Sequence, residues 1–281
     1  MKNKFSIPLI IVGLRLCAWS QVQSGTLIAV TSSPDEIVVA ADSRTHDGTR
    51  YVDNHCKIST FGNKVIFAAA GFTGEGPLAG PAYWSVQAIA RRQFDRFSGK
   101  NARPYSVVAF ANAWGKATEI KIQRLLDRHT ITRETITDKS NVITNSVFAG
   151  FGKPGKVSIV LANMLYETNK GRGISKFSVQ QIVNEPGGEE EMGHTEVVNQ
   201  IQGGNLALIR EMAQDRDRLP SGFDLLAFYM IEMVKLSIKH QAGVMINGIR
   251  VETIGGPIDA VRLSRSGGIE WINRKDNCPA N

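Results

Sequence analysis

The chain has 281 residues, a formal charge of +7 at pH 7, 42% hydrophobic residues, 27 glycines and three cysteines. That length supports one large domain, or two small ones, with a substantial core; the balance of apolar, charged and glycine residues excludes disordered, collagen-like and disulfide-framework classes. The basic excess would suit an acidic partner, but Lys2, Lys4 and Arg15 belong to the leader segment, and no dense basic run with interleaved aromatics remains, so nucleic acid is not expected.

Residues 1–24 read as a signal peptide or leader: Lys2 and Lys4 form a basic start, an apolar stretch follows from Phe5 to Leu16, and small residues stand at Ala18, Ser20 and Ser24. The stretch is too short for a stable membrane span. Cleavage would export the protein to a periplasmic or secreted location; a retained leader would leave it cytoplasmic. Beyond the leader only Cys56 and Cys278 remain, and whether they pair is open at this level. The scattered histidines and the lack of Cys-x-x-Cys or His-Glu-x-x-His give no metal site.

Two apolar, β-rich runs open the rest of the chain, Gly25-Thr26-Leu27-Ile28-Ala29-Val30 and Ile37-Val38-Val39-Ala40-Ala41, joined by the turn chemistry of Ser32-Ser33-Pro34-Asp35. The second run stops in Asp42-Ser43-Arg44, which puts a carboxylate at a strand end. Lys57-Ile58 and a further buried run, residues 65–70, breaking at Gly71, follow. Helical spacing predicts a helix over residues 79–97 and a second from Pro104, continuing to Leu126 if Gly115 is tolerated. Strand patterns return at residues 142–150, 157–161 and 177–183. Residues 187–191 read as a polar loop, a short helix is expected from Asn205, and a longer one from Ser221, where Ser221-x-x-Asp224 fits a capping box. Residues 251–254, 258–263 and 269–272 read as closing strands. Helices in blocks between strands joined by hairpin turns argue for antiparallel sheets sandwiched by helices, with no boundary inside residues 25–281.

One rival motif is Gly150-Phe151-Gly152-Lys153-Pro154-Gly155-Lys156, which has the glycine and lysine spacing of a phosphate-binding loop. Val157 stands where the magnesium-holding Ser or Thr belongs, and a Lys-Pro-Gly hairpin turn is the favoured reading.

Gly25-Thr26, the Val38-Val39-Ala40-Ala41-Asp42-Ser43-Arg44 strand end, Lys57-Ile58, Ala69-Ala70-Gly71 and Val147-Phe148-Ala149-Gly150-Phe151 together resemble the proteasome-type N-terminal-nucleophile hydrolases, the group of 20S β-subunits and their bacterial two-ring homologue. The resemblance implies an α+β fold, a four-layer αββα sandwich of two antiparallel sheets flanked by helices, as a single domain over residues 25–281. It implies a threonine-type peptidase that acts on peptides or unfolded protein, without metal or organic cofactor, as a homo-oligomeric ring. Its site residues would be Thr26 as nucleophile, Asp42 as orienting acid, Lys57 as the lysine beside the hydroxyl and Gly71 as oxyanion donor. Thr26 precedes Asp42 by sixteen positions, the spacing of the β-type nucleophile and its aspartate. The chemistry needs these types: a threonine hydroxyl requires a base, an α-amine titrates near 8, and an ammonium beside it lowers the cost of the alkoxide.

The sequence departs from that pattern at Leu27, where a second threonine is usual, and at Thr253-Ile254-Gly255-Gly256, where Ser-Gly-Gly is expected. A second alignment places Gly25 at the nucleophile position and makes the chain a non-catalytic ring subunit. Both registers stay open, because a one-residue slip exchanges the faces of the strand.

Overall fold

The computed structural model describes residues 26–46, 51–53, 55–75, 84–98, 106–137, 141–152, 155–187, 189–193, 195–219, 224–241, 244–246, 249–276 and 278. The leader, Gly25, Pro104 and Ser221 lie outside them. In chain order the strands before the first helix are β1 (Leu27–Ser32), β2 (Glu36–Ala41), β3 (Thr45–His46), β4 (Tyr51–Val52), β5 (Ile58–Phe61), β6 (Val65–Gly71), β7 (Gly74–Glu75) and β8 (Trp84–Ser85). There follow α1 (Val86–Ser98), α2 (Val107–Asp127), the single turn α3 (Arg133–Ile136), β9 (Val142–Phe151), β10 (Val157–Asn169), β11 (Arg172–Val183) and β12 (Glu189–Gly193). The chain closes with α4 (Glu196–Gln202), α5 (Leu206–Arg216), α6 (Leu225–His240), β13 (Val244–Ile246), β14 (Ile249–Val251), β15 (Asp259–Ser264) and β16 (Gly268–Asn273).

Two five-stranded antiparallel sheets carry the molecule, ordered β12-β1-β2-β15-β16 and β11-β10-β9-β6-β5. Inside these sheets β1, β2 and β6 are buried on both faces, which explains their uninterrupted apolar runs. On β1 and β2, Leu27, Ala29, Val38 and Ala40 pack with Val198, Met230 and Val234 of α4 and α6. The alternate residues, Ile28, Val30, Ile37, Val39 and Ala41, meet Ile58, Ile66, Ala68 and Val147 of the second sheet. That sheet turns Phe67 and Phe148 outward onto Phe110 and Trp114 of α2, where the rings pack edge-on or tilted. Helices, sheet, sheet and helices therefore stack around three apolar layers, a mixed α+β sandwich.

The helix ends follow their caps. Ser106 accepts from the Ala109 N–H to start α2, and Asp224 accepts from the Leu226 and Ala227 N–H groups to start α6. The α6 cap is thus the aspartate of the expected capping box, not its serine. Gly115 is tolerated inside α2 because the Phe177 ring lies on it; a Cβ there would sit 2.3 Å from the ring.

Several expectations need correction. Residues 189–193 form a strand, not part of a polar loop, because β1 offers an open edge and pairs with it from Leu27↔Gly193 to Thr31↔Glu189; glutamates suit an edge strand, which has solvent on one side. Ahead of the short helix expected from Asn205, residues 196–202 form a further helix, α4. Of the helix expected over residues 79–97, residues 79–83 lie outside the described residues, Trp84 and Ser85 form β8, and the helix begins at Val86. Of residues 251–254, only Val251 ends a strand. In contrast, the glycine-lysine segment agrees with its favoured reading as a turn: Gly152 N–H donates to Lys156 O and Gly155 N–H to Gly152 O, both at 2.7 Å, between β9 and β10, while Lys153 and Pro154 lie outside the described residues. A strand follows it, so it opens no helix N-terminus for a phosphate.

Candidate active site

The site grows from the ends of three strands. Thr26 stands one residue before β1, 5% exposed, and strand alternation places it on the same face as Ile28 and Val30, turned toward the second sheet. Asp42 follows β2 and Lys57 precedes β5; both are buried. Gly71 ends β6 with φ +90°.

Asp42 is the hub. Its Oδ1 accepts from the Leu27 N–H at 2.9 Å and from the Lys57 ammonium at 2.7 Å. Its Oδ2 accepts from the Arg44 N–H at 3.1 Å and the Gly255 N–H at 3.0 Å. Four donors thus satisfy one buried carboxylate. Leu27 N–H and Lys57 Nζ share one oxygen, so the ammonium lies two hydrogen bonds from the peptide nitrogen that follows Thr26. Burial pushes the Lys57 pKa below its ordinary value; the neighbouring Asp42 carboxylate opposes that push.

The peptide at Thr26 is fixed from the other side by Gly193, φ +95°, where a Cβ would fall 1.7 Å from the Thr26 carbonyl oxygen. Gly71 is held by β9: the Phe72 N–H donates to Ile143 O at 2.8 Å, and Thr144 Oγ1 donates to Phe72 O at 2.6 Å. Antiparallel alternation then turns the Gly71 N–H away from β9. The last register pair between β5 and β6 is Ile58↔Ala68, so Gly71 runs past the end of β5, on the side where Lys57 enters. A side chain at Gly71 would meet Ile143 O at 2.5 Å.

The structure thus brings Thr26, Asp42 and Lys57 together through one carboxylate and sets Gly71 on the neighbouring strand end. It also gives roles to residues that the sequence reading named without assigning one. Gly255 accepts the Ser43 and Arg44 N–H groups on its carbonyl, both at 3.0 Å, while donating to Asp42. The Gly255-Gly256 turn therefore clamps the Asp42-Ser43-Arg44 strand end; Gly256 has φ +73°, and a Cβ on it would sit 2.5 Å from Ser43 Oγ. Arg44 makes a two-pronged ion pair with Asp53, at 2.6 and 2.8 Å. Its signal in the sequence was only the glycine pair.

Cys56, directly before Lys57, forms a disulfide with Cys278, Cα–Cα 5.5 Å, which answers the open question of their pairing. Asp259 lies against these sulfurs; because both are spent in the disulfide, the group offers no thiolate to a metal. Next to the disulfide is a second ion pair, Lys275 Nζ to Asp259 Oδ2 at 2.7 Å. His55 is partly buried, with Nε2 closed off from solvent and no hydrogen-bond partner among the described residues. Its burial and the nearby Lys57 and Lys275 charges lower its pKa to about 4, so the ring is neutral at pH 7.

No helix among the described residues is long and apolar enough to cross a membrane. No protein-family model matches the chain, and no curated protein matches its sequence.

Proposed function

We propose that this protein is a proteasome-like threonine peptidase with the N-terminal-nucleophile hydrolase fold, cutting peptide bonds through Thr26 as the first residue of the mature chain. The observation that supports the reading is the Asp42 oxygen shared by the Lys57 ammonium and the Leu27 N–H, the peptide nitrogen that follows Thr26. In this reading the Thr26 α-amine accepts the hydroxyl proton as Oγ1 attacks the scissile carbonyl carbon. Lys57 favours the developing negative charge, and the Gly71 N–H donates to the oxyanion. Collapse breaks the C–N bond; the leaving amine takes the proton from the α-ammonium and leaves an ester on Oγ1. Water then gives a proton to the same amine as it attacks the ester carbonyl; the C–Oγ1 bond breaks, Oγ1 takes that proton back, and the acid is released. Substrates are peptides or unfolded protein, and the working form is a homo-oligomeric ring. The disulfide suits the oxidising compartment to which a cleaved leader would deliver the chain.

The test is hydrolysis of a panel of fluorogenic peptides by wild-type protein, Thr26→Ala and Thr26→Ser. Loss of activity in the alanine variant with retention in the serine variant supports the reading; undiminished activity in Thr26→Ala removes Thr26 as nucleophile.

A second reading, a non-catalytic ring subunit with the same fold, draws on a specific feature. Ile254, where a hydroxyl would assist an active site, is buried in the apolar layer against the helices and offers the reaction nothing. An inactive wild-type protein that nevertheless assembles into rings would favour it.

A further inference from the structure

The segment that carries Lys57 is held by the C-terminal end of the chain. After β16, the Lys275 backbone N–H donates to Asp259 Oδ1 at 3.2 Å and its ammonium to Asp259 Oδ2 at 2.7 Å, so one carboxylate grips both ends of the residue. The same ammonium donates to the His55 carbonyl at 2.6 Å. The Cys56–Cys278 disulfide ties down the next residue, and the His55 N–H donates to Ser43 O at 3.1 Å. Asp259 itself is the first residue of β15 and lies opposite Ala41, the neighbour of Asp42. Asp259 is fully buried, and only 10% of the Lys275 side chain is exposed. A surface pair would contribute little, whereas a buried one acts through a low-dielectric medium on every charge nearby.

We propose that Asp259 and Lys275 form a second lysine–aspartate pair whose role is to position Lys57 and set the field at its ammonium, and through Lys57 to act on the Thr26 reaction. They are positioning residues, acting through Lys57. The functional half of this proposal rests on the threonine-peptidase reading. The groups that act on Lys57 are Asp42 from the end of β2, Asp53 and His55 from the preceding segment, Asp259 from β15 and Lys275 from beyond β16. Within that set Asp259 favours the charged lysine and Lys275 disfavours it.

The pair therefore makes a signed prediction that a purely structural clamp does not. An NMR titration of labelled lysine side chains is to be run on the full-length wild-type protein, Asp259→Asn, Lys275→Met and Lys275→Arg, with circular dichroism as a check on folding. The apparent pKa of Lys57 should fall in Asp259→Asn and rise in Lys275→Met, each by about one unit, and stay at the wild-type value in Lys275→Arg. Shifts of the same sign in the two neutralised variants, or none, overturn the proposal. Where Asp259→Asn fails to fold, the double variant Asp259→Asn/Lys275→Met removes both charges without leaving one unpaired, and its Lys57 titration should return from the raised Lys275→Met value to about that of wild type; a value at or above that of Lys275→Met overturns the proposal. In parallel, the pH profile of kcat/KM should move with the Lys57 titration. If wild-type protein hydrolyses no peptide, the Thr26 reading fails, while the titration still decides the role of the pair.

Discussion

Asp42→Asn is nearly isosteric, so it tests electrostatics and hydrogen bonding with little change in packing. The carboxylate accepts four hydrogen bonds, from the Leu27, Arg44 and Gly255 N–H groups and from Lys57. An amide can orient its oxygen toward only one pair of donors and must point its own NH2 at the other. If the oxygen keeps Leu27 and Lys57, the Arg44 and Gly255 N–H groups are orphaned, at about 1–3 kcal/mol each. The buried ammonium also loses its counter-charge, and breaking a buried ion pair costs about 3–5 kcal/mol. Lys57 can escape part of that cost by losing its proton, since burial already lowers its pKa. A net loss of about 4 kcal/mol is the central expectation, a large share of a typical domain's stability. Urea unfolding at pH 7 measures it from the shift in midpoint at constant slope. Asp53→Asn is the control: its pair with Arg44 is half-exposed and should cost about 1 kcal/mol or less. A loss below about 1 kcal/mol in Asp42→Asn would refute the view that this carboxylate organises the site.

Other consequences are equally direct. His55 has a folded pKa of about 4 against an ordinary 6.5, so the unfolded chain binds its proton first as pH falls. Stability present above pH 6.5 is lost progressively down to about pH 4, to a total of about 3 kcal/mol; in His55→Asn, denaturation followed over that window should show a shallower pH dependence, and an unchanged slope contradicts the assignment. Gly193→Ala places a methyl on the Thr26 carbonyl at a left-handed position and should either destabilise the fold by 2 kcal/mol or more, roughly, or displace Thr26 and lower peptide hydrolysis. A variant with wild-type stability and activity would show that this contact does not hold the site. Gly71→Ala meets the Ile143 carbonyl in the same way and should lower kcat more than it raises KM, as expected for a donor used in the transition state.

The architecture was legible because its signals are local. Strands buried on both faces, such as residues 37–41 and 65–70, read as continuous apolar runs, and the amphipathic helices interrupt them in blocks. Asp42 and Lys57 stood out for the same reason, as charges at the ends of apolar runs. What escaped depends on distant pairing. Glu189, Glu190 and Glu191 carry no strand signal of their own and become one only because the β1 edge accepts them. The Asp42–Gly255 bond spans 213 positions and the Cys56–Cys278 bond 222, so neither pairing could be read from the neighbouring residues. Asp259 and Lys275 look like an ordinary strand start and a tail lysine until β15 docks on β2. Thr26 is the intermediate case: spacing to Asp42 was readable, whereas the choice between the two registers was not.

The account depends on Thr26 supplying both hydroxyl and amine, and the intact mass of the mature protein isolated from its native source tests this most directly. A chain that begins at Thr26 is the predicted result. A mature chain that retains Gly25, or begins at any other residue, would leave the amine on the wrong residue and contradict the mechanism.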